Sequence, residues 1–408
     1  MRGMTDRLSI GERVAWYRRR RGMPQEVLAG LVGRTADWLS KVENNRIELD
    51  RLSVIKVLAV ALDVQLGDLL AESSLLDWTS DSEGGTVPRL REALMDYKHM
   101  SPLLAADQPD RLPDLEILRA EVGSAWSAYQ DAKYSRATRL IPDILADAQR
   151  AVRGYEGDAQ LQAKALLAMA YQGAAMVLTK IGEADLAWIA ADRGLAAAHE
   201  SGNALVTGSL FRSVSHCLLS NDRLTAARDL VTDSAGYLES GLADASPTYV
   251  SIYGTLFLVG AVAAARLDDR ATVREFLAEA DKAAERLGQD ANHMWTAFGP
   301  TNVAIHRIST AMELGDVQVA ADQGPRVDSS TLPLERRVRH TLEVARAYSA
   351  QNRTDDALAL VLDAEELAPE QVRYHFISRH LVTTWVRQQK GKPSHQLAGV
   401  AHRLRIVG

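Results

Sequence analysis

A recurring turn constrains this chain more than any other feature. From about residue 115 onward, runs with helical periodicity alternate with short turns, and similar turns return as DAKYSRATRL, IGEADLAWIA, SNDRLTAARDL, LDDRATVREFL, LGDVQVAADQG and QNRTDDALALV. Taking Ala137, Ala187, Ala227, Val273, Val319 and Ala357 as equivalent positions, the steps are 50, 40, 46, 46 and 38 residues. Each unit keeps one order: helix, turn with small or acidic residues, Ala-rich helix. Repeats of this kind stack, because neighbours bury together an apolar face that no helix pair can bury alone. The expected fold class is therefore all-α, with an α-solenoid over most of the chain.

Composition supports helix. Gly and Pro together make 39 of 408 residues, which argues against a β-sandwich and against disorder. The longest nearly uncharged apolar run, residues 254–265, is shorter than the roughly 20 residues a bilayer span needs, so no membrane segment is expected. The N-terminal residues carry Arg where a secretion signal would be apolar. A single cysteine, Cys217, makes neither an intramolecular disulfide nor a CxxC site, and reads as a small buried hydrophobe in a reducing cytoplasm. Phosphate-loop, nucleophile-elbow, zinc-protease and kinase motifs are all missing, so the expectation is no enzyme, no cofactor and no metal. His375 with His380 and His395 with His402 lack metal-ligand spacing.

Charge divides the chain. Residues 1–56 hold 12 Lys and Arg against 7 Asp and Glu, leaving 35 against 46 for residues 57–408. A small basic head thus precedes a large acidic body. The head reads as five short helices. Ser9 caps the first, in which Ile10, Val14 and Tyr17 share a face and the basic run 18–21 ends at Gly22. Pro24 opens a second over 25–32, and Gly33 breaks it. Thr35 caps a third, Ala36–Glu43, with Leu39 and Val42 inward, and Asn44 and Asn45 suit a left-handed end. Two more follow at 52–62 and 66–70. Two short helices joined by a Gly-containing turn form the geometry that places the second in the DNA major groove.

The pattern of Gly22, Gln25, Leu28, Ala29, Gly33, Leu39, Val42 and Glu43 resembles the lambda-repressor/Cro type of helix-turn-helix. That resemblance implies a DNA contact for Gln25, base reading by Ala36, Asp37 and Lys41, and an internal ion pair between Arg18 and Glu43. Lys41 has the reach for a guanine, Ala36 suits a thymine methyl, and Asp37 serves either as acceptor from a cytosine amine or as reinforcement of the helix start. Trp38 either stacks on a sugar or methyl edge or packs sideways to stiffen the turn. The expected DNA-binding set is Gln25, Arg34, Thr35, Ala36, Asp37, Trp38, Lys41, Asn44 and Arg46, with Arg19, Arg20 and Arg21 also available to phosphates.

The run SDSEGGTVP lacks any apolar period. The expected boundaries are a head over 1–72, a flexible linker over 73–88 and a body over 89–408. The first body unit, with Trp126, Tyr129, Tyr134, Ala137 and Ala148, resembles a tetratricopeptide unit. The whole chain is similar to actinobacterial XRE-type regulators that join such a head to a tetratricopeptide-like body, and its architecture resembles peptide-responsive quorum-sensing regulators. A solenoid binds along its concave face, lined by the first helix of each pair. There the residues with reach are Arg212, His216, Tyr249, Tyr253, Asn302, His306 and Arg339, beside His340. Asn302 either holds a peptide backbone or serves helix packing after Pro300.

The resemblance implies a cytoplasmic homodimeric transcriptional regulator. Its partners would be double-stranded DNA carrying an inverted repeat, and a peptide or small-molecule ligand in the body. The alternative is an interaction scaffold whose head is a docking or vestigial module.

Overall fold

A computed structural model describes residues 8–47, 49, 52–62, 64, 69, 86–96, 112–389 and 392–406. Among these, all regular structure is helical apart from one isolated bridge pair, Ala291 with Phe298.

The head contains α1 (Ile10–Arg20), α2 (Gln25–Leu31), α3 (Ala36–Glu43) and α4 (Leu52–Ala61). Ser9 caps α1 reciprocally: its hydroxyl accepts from the Glu12 amide at 2.9 Å, and the Glu12 carboxylate accepts from the Ser9 amide at 2.6 Å. Pro24 stands at the N-cap of α2, one place earlier than a first-turn proline. Val14, Leu28, Leu39, Val42, Ile55, Leu58 and Leu62 form one core. The expected helix at 66–70 lies outside the described residues except for Leu69, which is buried and whose carbonyl accepts from Arg13 at 2.9 Å.

The expected linker, 73–88, lies outside the described residues as far as 85. Its last residues differ from expectation. Thr86, Val87 and Pro88 open α5 (Thr86–Met95), and Val87, Leu90 and Leu94 are buried in the core of the body. An apolar i, i+3, i+7 stripe explains this: those side chains gain more by burial than a solvated linker would by freedom.

The body pairs its helices in sequence: α6 (Leu115–Gln130) with α7 (Tyr134–Gly154), α8 (Gly157–Lys180) with α9 (Ala184–Ser201), α10 (Ala204–Ser220) with α11 (Leu224–Glu239), and α12 (Pro247–Arg266) with α13 (Arg270–Leu287). There follow α14 (Pro300–Leu314) with α15 (Val317–Gln323), α16 (Leu334–Ala350) with α17 (Thr354–Leu367), then α18 (Pro369–Tyr374), α19 (Phe376–Gln388) and α20 (His395–Arg403).

Every turn inside a pair has the same geometry. A left-handed residue stands at Ala132, Gly182, Asp222, Asp268, Gly315 and Asn352, and the second helix begins two residues later. The amide after each left-handed residue donates five residues back, as Lys133 to the Ala128 carbonyl at 2.9 Å and Arg353 to that of Tyr348 at 2.9 Å. The residue five places after is small and buried: Ala137, Ala187, Ala227, Val273, Ala320 and Ala357. This corrects one repeat position. Ala320, wholly buried, takes the place expected for Val319, which is 42% exposed. Turns within pairs take two or three residues, whereas connections between pairs vary from two to twelve.

The superhelix returns on itself. α16 packs against α6 and α18 against α7, and residues from 87 to 217 share one core with residues from 338 to 404. The loop between α13 and α14 reinforces this closure. Gln130 and Asn292 exchange amide hydrogen bonds at 3.0 and 2.8 Å, and Trp295 stacks on Trp126 with centroids 5.0 Å apart. Met294, Trp295 and Ala297 all have positive φ there, a strain of about 1–3 kcal/mol each. Burial of Phe298 offsets it, and this requires glycine at 254, where a methyl would lie 2.1 Å from the Phe298 ring.

By length and composition α12 would suffice to cross a bilayer, contrary to the expectation from the shorter 254–265 run, but 83% of its apolar window is buried inside the body. Cys217 is buried, its thiol directed at the Ala187 carbonyl 3.6 Å away.

Candidate functional site

In the head, packing fixes α3 so that Asp37, Lys41 and Asn44 are exposed along one face while Leu39, Val42 and Glu43 are buried on the other. Thr35 caps the helix, its hydroxyl accepting from the Trp38 amide at 3.2 Å. Asn44 closes it by donating to the Ser40 carbonyl at 2.7 Å, and Asn45 takes the left-handed conformation. Arg18 and Glu43 form the expected ion pair, bidentate at 2.5 and 2.7 Å, and Arg18 also donates to the Met23 carbonyl at 2.7 Å. The Glu43 hydrogen bond holds the Arg18 guanidinium above its ordinary value.

Three residues of the expected DNA-binding set have partners within the head. Gln25 is engaged within the head: its amide nitrogen donates to Glu43 at 2.7 Å, because the carboxylate still has lone pairs after binding Arg18. Asp37 pairs with Lys41 at 2.7 Å, one turn along the exposed face. Such a pair is worth only about 0.3–0.5 kcal/mol, so it parts at small cost when phosphate approaches. Trp38 packs sideways against the head core, with the Arg34 guanidinium over its ring at 5.6 Å. Ala36 is half-buried, whereas Arg34 and Arg46 on either side of α3, and Arg19, Arg20 and Arg21 at the end of α1, are exposed.

Residues 9–72 match the protein family described as helix-turn-helix domain. The head is a helix-turn-helix domain. No curated protein matches the chain. In overall shape it is similar to aspartyl phosphate phosphatase F from Bacillus subtilis, at 12% identity and a TM-score of 0.45, over 88% of this chain and 94% of that one.

In the body, the first helices of successive pairs bring charged side chains into the lumen of the closed superhelix. Arg212 and His216 come from α10, Asn302 and His306 from α14, and Arg339 from α16. The structure brings these five into one region: the charges of Arg212 and Arg336 act on His216, and those of Arg336 and Arg339 act on His306. His306 Nδ1 lies 2.8 Å from the Asn302 carbonyl, so Nδ1 carries the proton.

Tyr249 and Tyr253 do not join them. The Tyr249 hydroxyl donates to the Leu238 carbonyl at 2.8 Å, and the Tyr253 ring meets Phe257 edge-on at 5.0 Å. Both lie on the α12 stripe that packs against neighbouring helices, while Arg266 from the same helix reaches the charged cluster. His340 also turns away, to the Gly324 carbonyl at 3.0 Å.

The sequence reading missed most of the lumen. Lys180 binds Glu335, whose carboxylate lies 3.7 Å from Arg336. Arg346 bridges Glu313 at 3.1 Å and Glu343 at 3.3 Å, and Arg339 reaches Glu343 at 3.4 Å. Burial is the leading cause of shift throughout. It lowers Lys180 to about 8, Arg212 to about 10 and His306 to about 3, and holds His216 and His375 well below the usual histidine range. Burial opposes ionisation of Glu335 as well, but Lys180 and Arg336 prevail and bring it down to about 2. The signal was present in LERRVRHTLEVARA, where Glu335, Arg336, Arg339, Glu343 and Arg346 form a helical stripe. A charged stripe opposite an apolar one ordinarily marks solvent; here it faces a lumen.

Proposed function

We propose that this chain is a sequence-specific DNA-binding transcriptional regulator of the XRE type found in actinobacteria, cytoplasmic and without enzymatic activity. It acts as a homodimer on an inverted repeat, and the helical-repeat body dimerises and receives a peptide or small-molecule signal. The observation that carries this reading is α3, held rigidly by the Arg18–Glu43 pair with a polar face exposed between arginines. Lys41 reads base edges, the surrounding arginines engage phosphates, and Gln25 stiffens the pair from below. A head with so few cations binds weakly alone, so specificity calls for two heads on half-sites about one helical turn apart. The head carries apolar surface suited to a second copy, with Val27 and Leu31 of α2 and Val57 and Val60 of α4 exposed.

The decisive experiment is selection of fragmented genomic DNA by the purified protein at near-physiological salt, followed by sequencing. An enriched inverted repeat that Lys41→Ala no longer retains supports the reading. Enrichment of no sequence favours an interaction scaffold, the second reading, which draws support from the Asp37–Lys41 pair neutralising part of the exposed face. Groove binding must also weaken steeply between about 50 and 200 mM salt.

A further inference from the structure

The lumen carries more positive charge than its own carboxylates neutralise. Lys180, Arg212, Arg266, Arg336, Arg339 and Arg346 face Glu313, Glu335 and Glu343, with Glu370 engaged beyond them by the Ser135 amide at 2.8 Å. Most of these cations are paired. Arg212 is different: it is 2% exposed, and its Nε and Nη2 have no hydrogen-bond partner. The largest charge acting on it is that of Arg336, a like charge, ahead of the opposing Glu335. The Oδ1 of Asn302 and the hydroxyl of Tyr134, both 1% exposed, are likewise unpartnered.

A buried guanidinium with unused donors beside a second guanidinium is costly unless an acceptor completes it. Arg336, His216 and His306 are only half-buried, so solvent reaches the charged cluster to which Arg212 belongs. Contacts between α16 and α6 and between Trp295 and Trp126 close the ring of helices that carries this cluster.

We propose that the lumen is a binding site for a small oxyanion, a carboxylate or phosphate group carried by a small molecule, which Arg212 and Arg336 clamp together. Planar guanidinium donors match the two oxygens of either group. This names the class of signal for the body and rests on the regulator reading in that respect. The anion would neutralise the repulsion between the two arginines and tie α10 to α16 across the ring. The apo and filled states therefore differ in how firmly the ring is held shut.

The test is equilibrium dialysis of the full chain against 32P-labelled phosphate and, separately, 14C-labelled citrate, at constant ionic strength set by sodium chloride. The wild-type chain and Arg307→Met, a change on an exposed arginine paired with Asp281, should take up one of the two saturably. Arg212→Met should bind at least about tenfold more weakly, the loss expected for charge-assisted hydrogen bonds. Its thermal midpoint without anion should equal or exceed that of wild type, because an uncompensated buried charge has been removed. Should Arg212→Met not fold, Arg336→Met is read in the same way. Uptake of phosphate alone assigns a phosphate ligand, and uptake of citrate alone a carboxylate. Uptake of neither by wild type, or equal uptake by the arginine variants, overturns the proposal. No DNA is present, so failure of the regulator reading, seen in the genomic selection, is scored separately.

Discussion

Single residues in the head divide into those that hold α3 and those that α3 displays. Arg18 and Glu43 belong to the first group, and both are buried. Replacing Arg18 by Met leaves a buried carboxylate with only Gln25 for company, and should destabilise the head by about 3 kcal/mol, measured by denaturant unfolding of the full chain. Asp37 belongs to the second group. Asp37→Asn releases Lys41 for base edges and removes a carboxylate that repels phosphates, so affinity for the selected DNA at low salt should rise; an unchanged affinity would show that this face of α3 does not meet DNA. The ion pair was legible in the sequence because the helix-turn-helix spacing carries it. The engagement of Gln25 was not, since sequence spacing gives a helix start and not the third partner of a carboxylate. The Asp37–Lys41 pair sits at i, i+4, a spacing readable in advance, but reading the two as separate base contacts obscured it.

At the scale of elements, the body is six repetitions of one turn, and four of them place a residue other than glycine in the left-handed region. Asn352 is exposed, so its backbone conformation can be tested without disturbing a core. Asn352→Ala should cost about 1 kcal/mol, while Asn352→Gly should cost nothing or stabilise slightly, read from the thermal midpoint. The turns were legible because small, acidic and amide residues cluster in them. Val319 matches the repeat in apolar character, whereas the turn counts five residues from Gly315 to a buried Ala320. The start of α5 was missed because a Gly-Ser-acid run ends in three residues whose helical stripe shows only against the body.

For the whole molecule, ring closure makes the first and last pairs depend on each other. Trp295→Ala removes the stack on Trp126 and should speed amide hydrogen exchange in α6 and α16 together, whereas an open solenoid would loosen only locally. Acid should open the body too. His306, near 3 when folded against about 6.5 unfolded, stays neutral while the unfolded chain takes up a proton, so stability is full above pH 6.5 and declines as pH falls toward 3. His216 and His375 act in the same direction, and Glu335 adds its loss between about 4.5 and 2. His216→Gln with His306→Gln should flatten the thermal midpoint against pH between 6.5 and 4. Neither closure nor lumen was legible in the sequence, because both depend on how small angles between pairs accumulate.

The two edges of the ring are also unlike. Along one, every crossing from first to second helix uses a turn of two or three residues; along the other, crossings run from two residues to twelve. A fluorescent reporter or affinity handle spliced between residues 240 and 246 therefore enters an edge that already accommodates unequal lengths, while the same graft at Ala132 would break a hydrogen-bonded count on which the register of the next helix depends. The uneven edge is where this body can be tethered, labelled or enlarged.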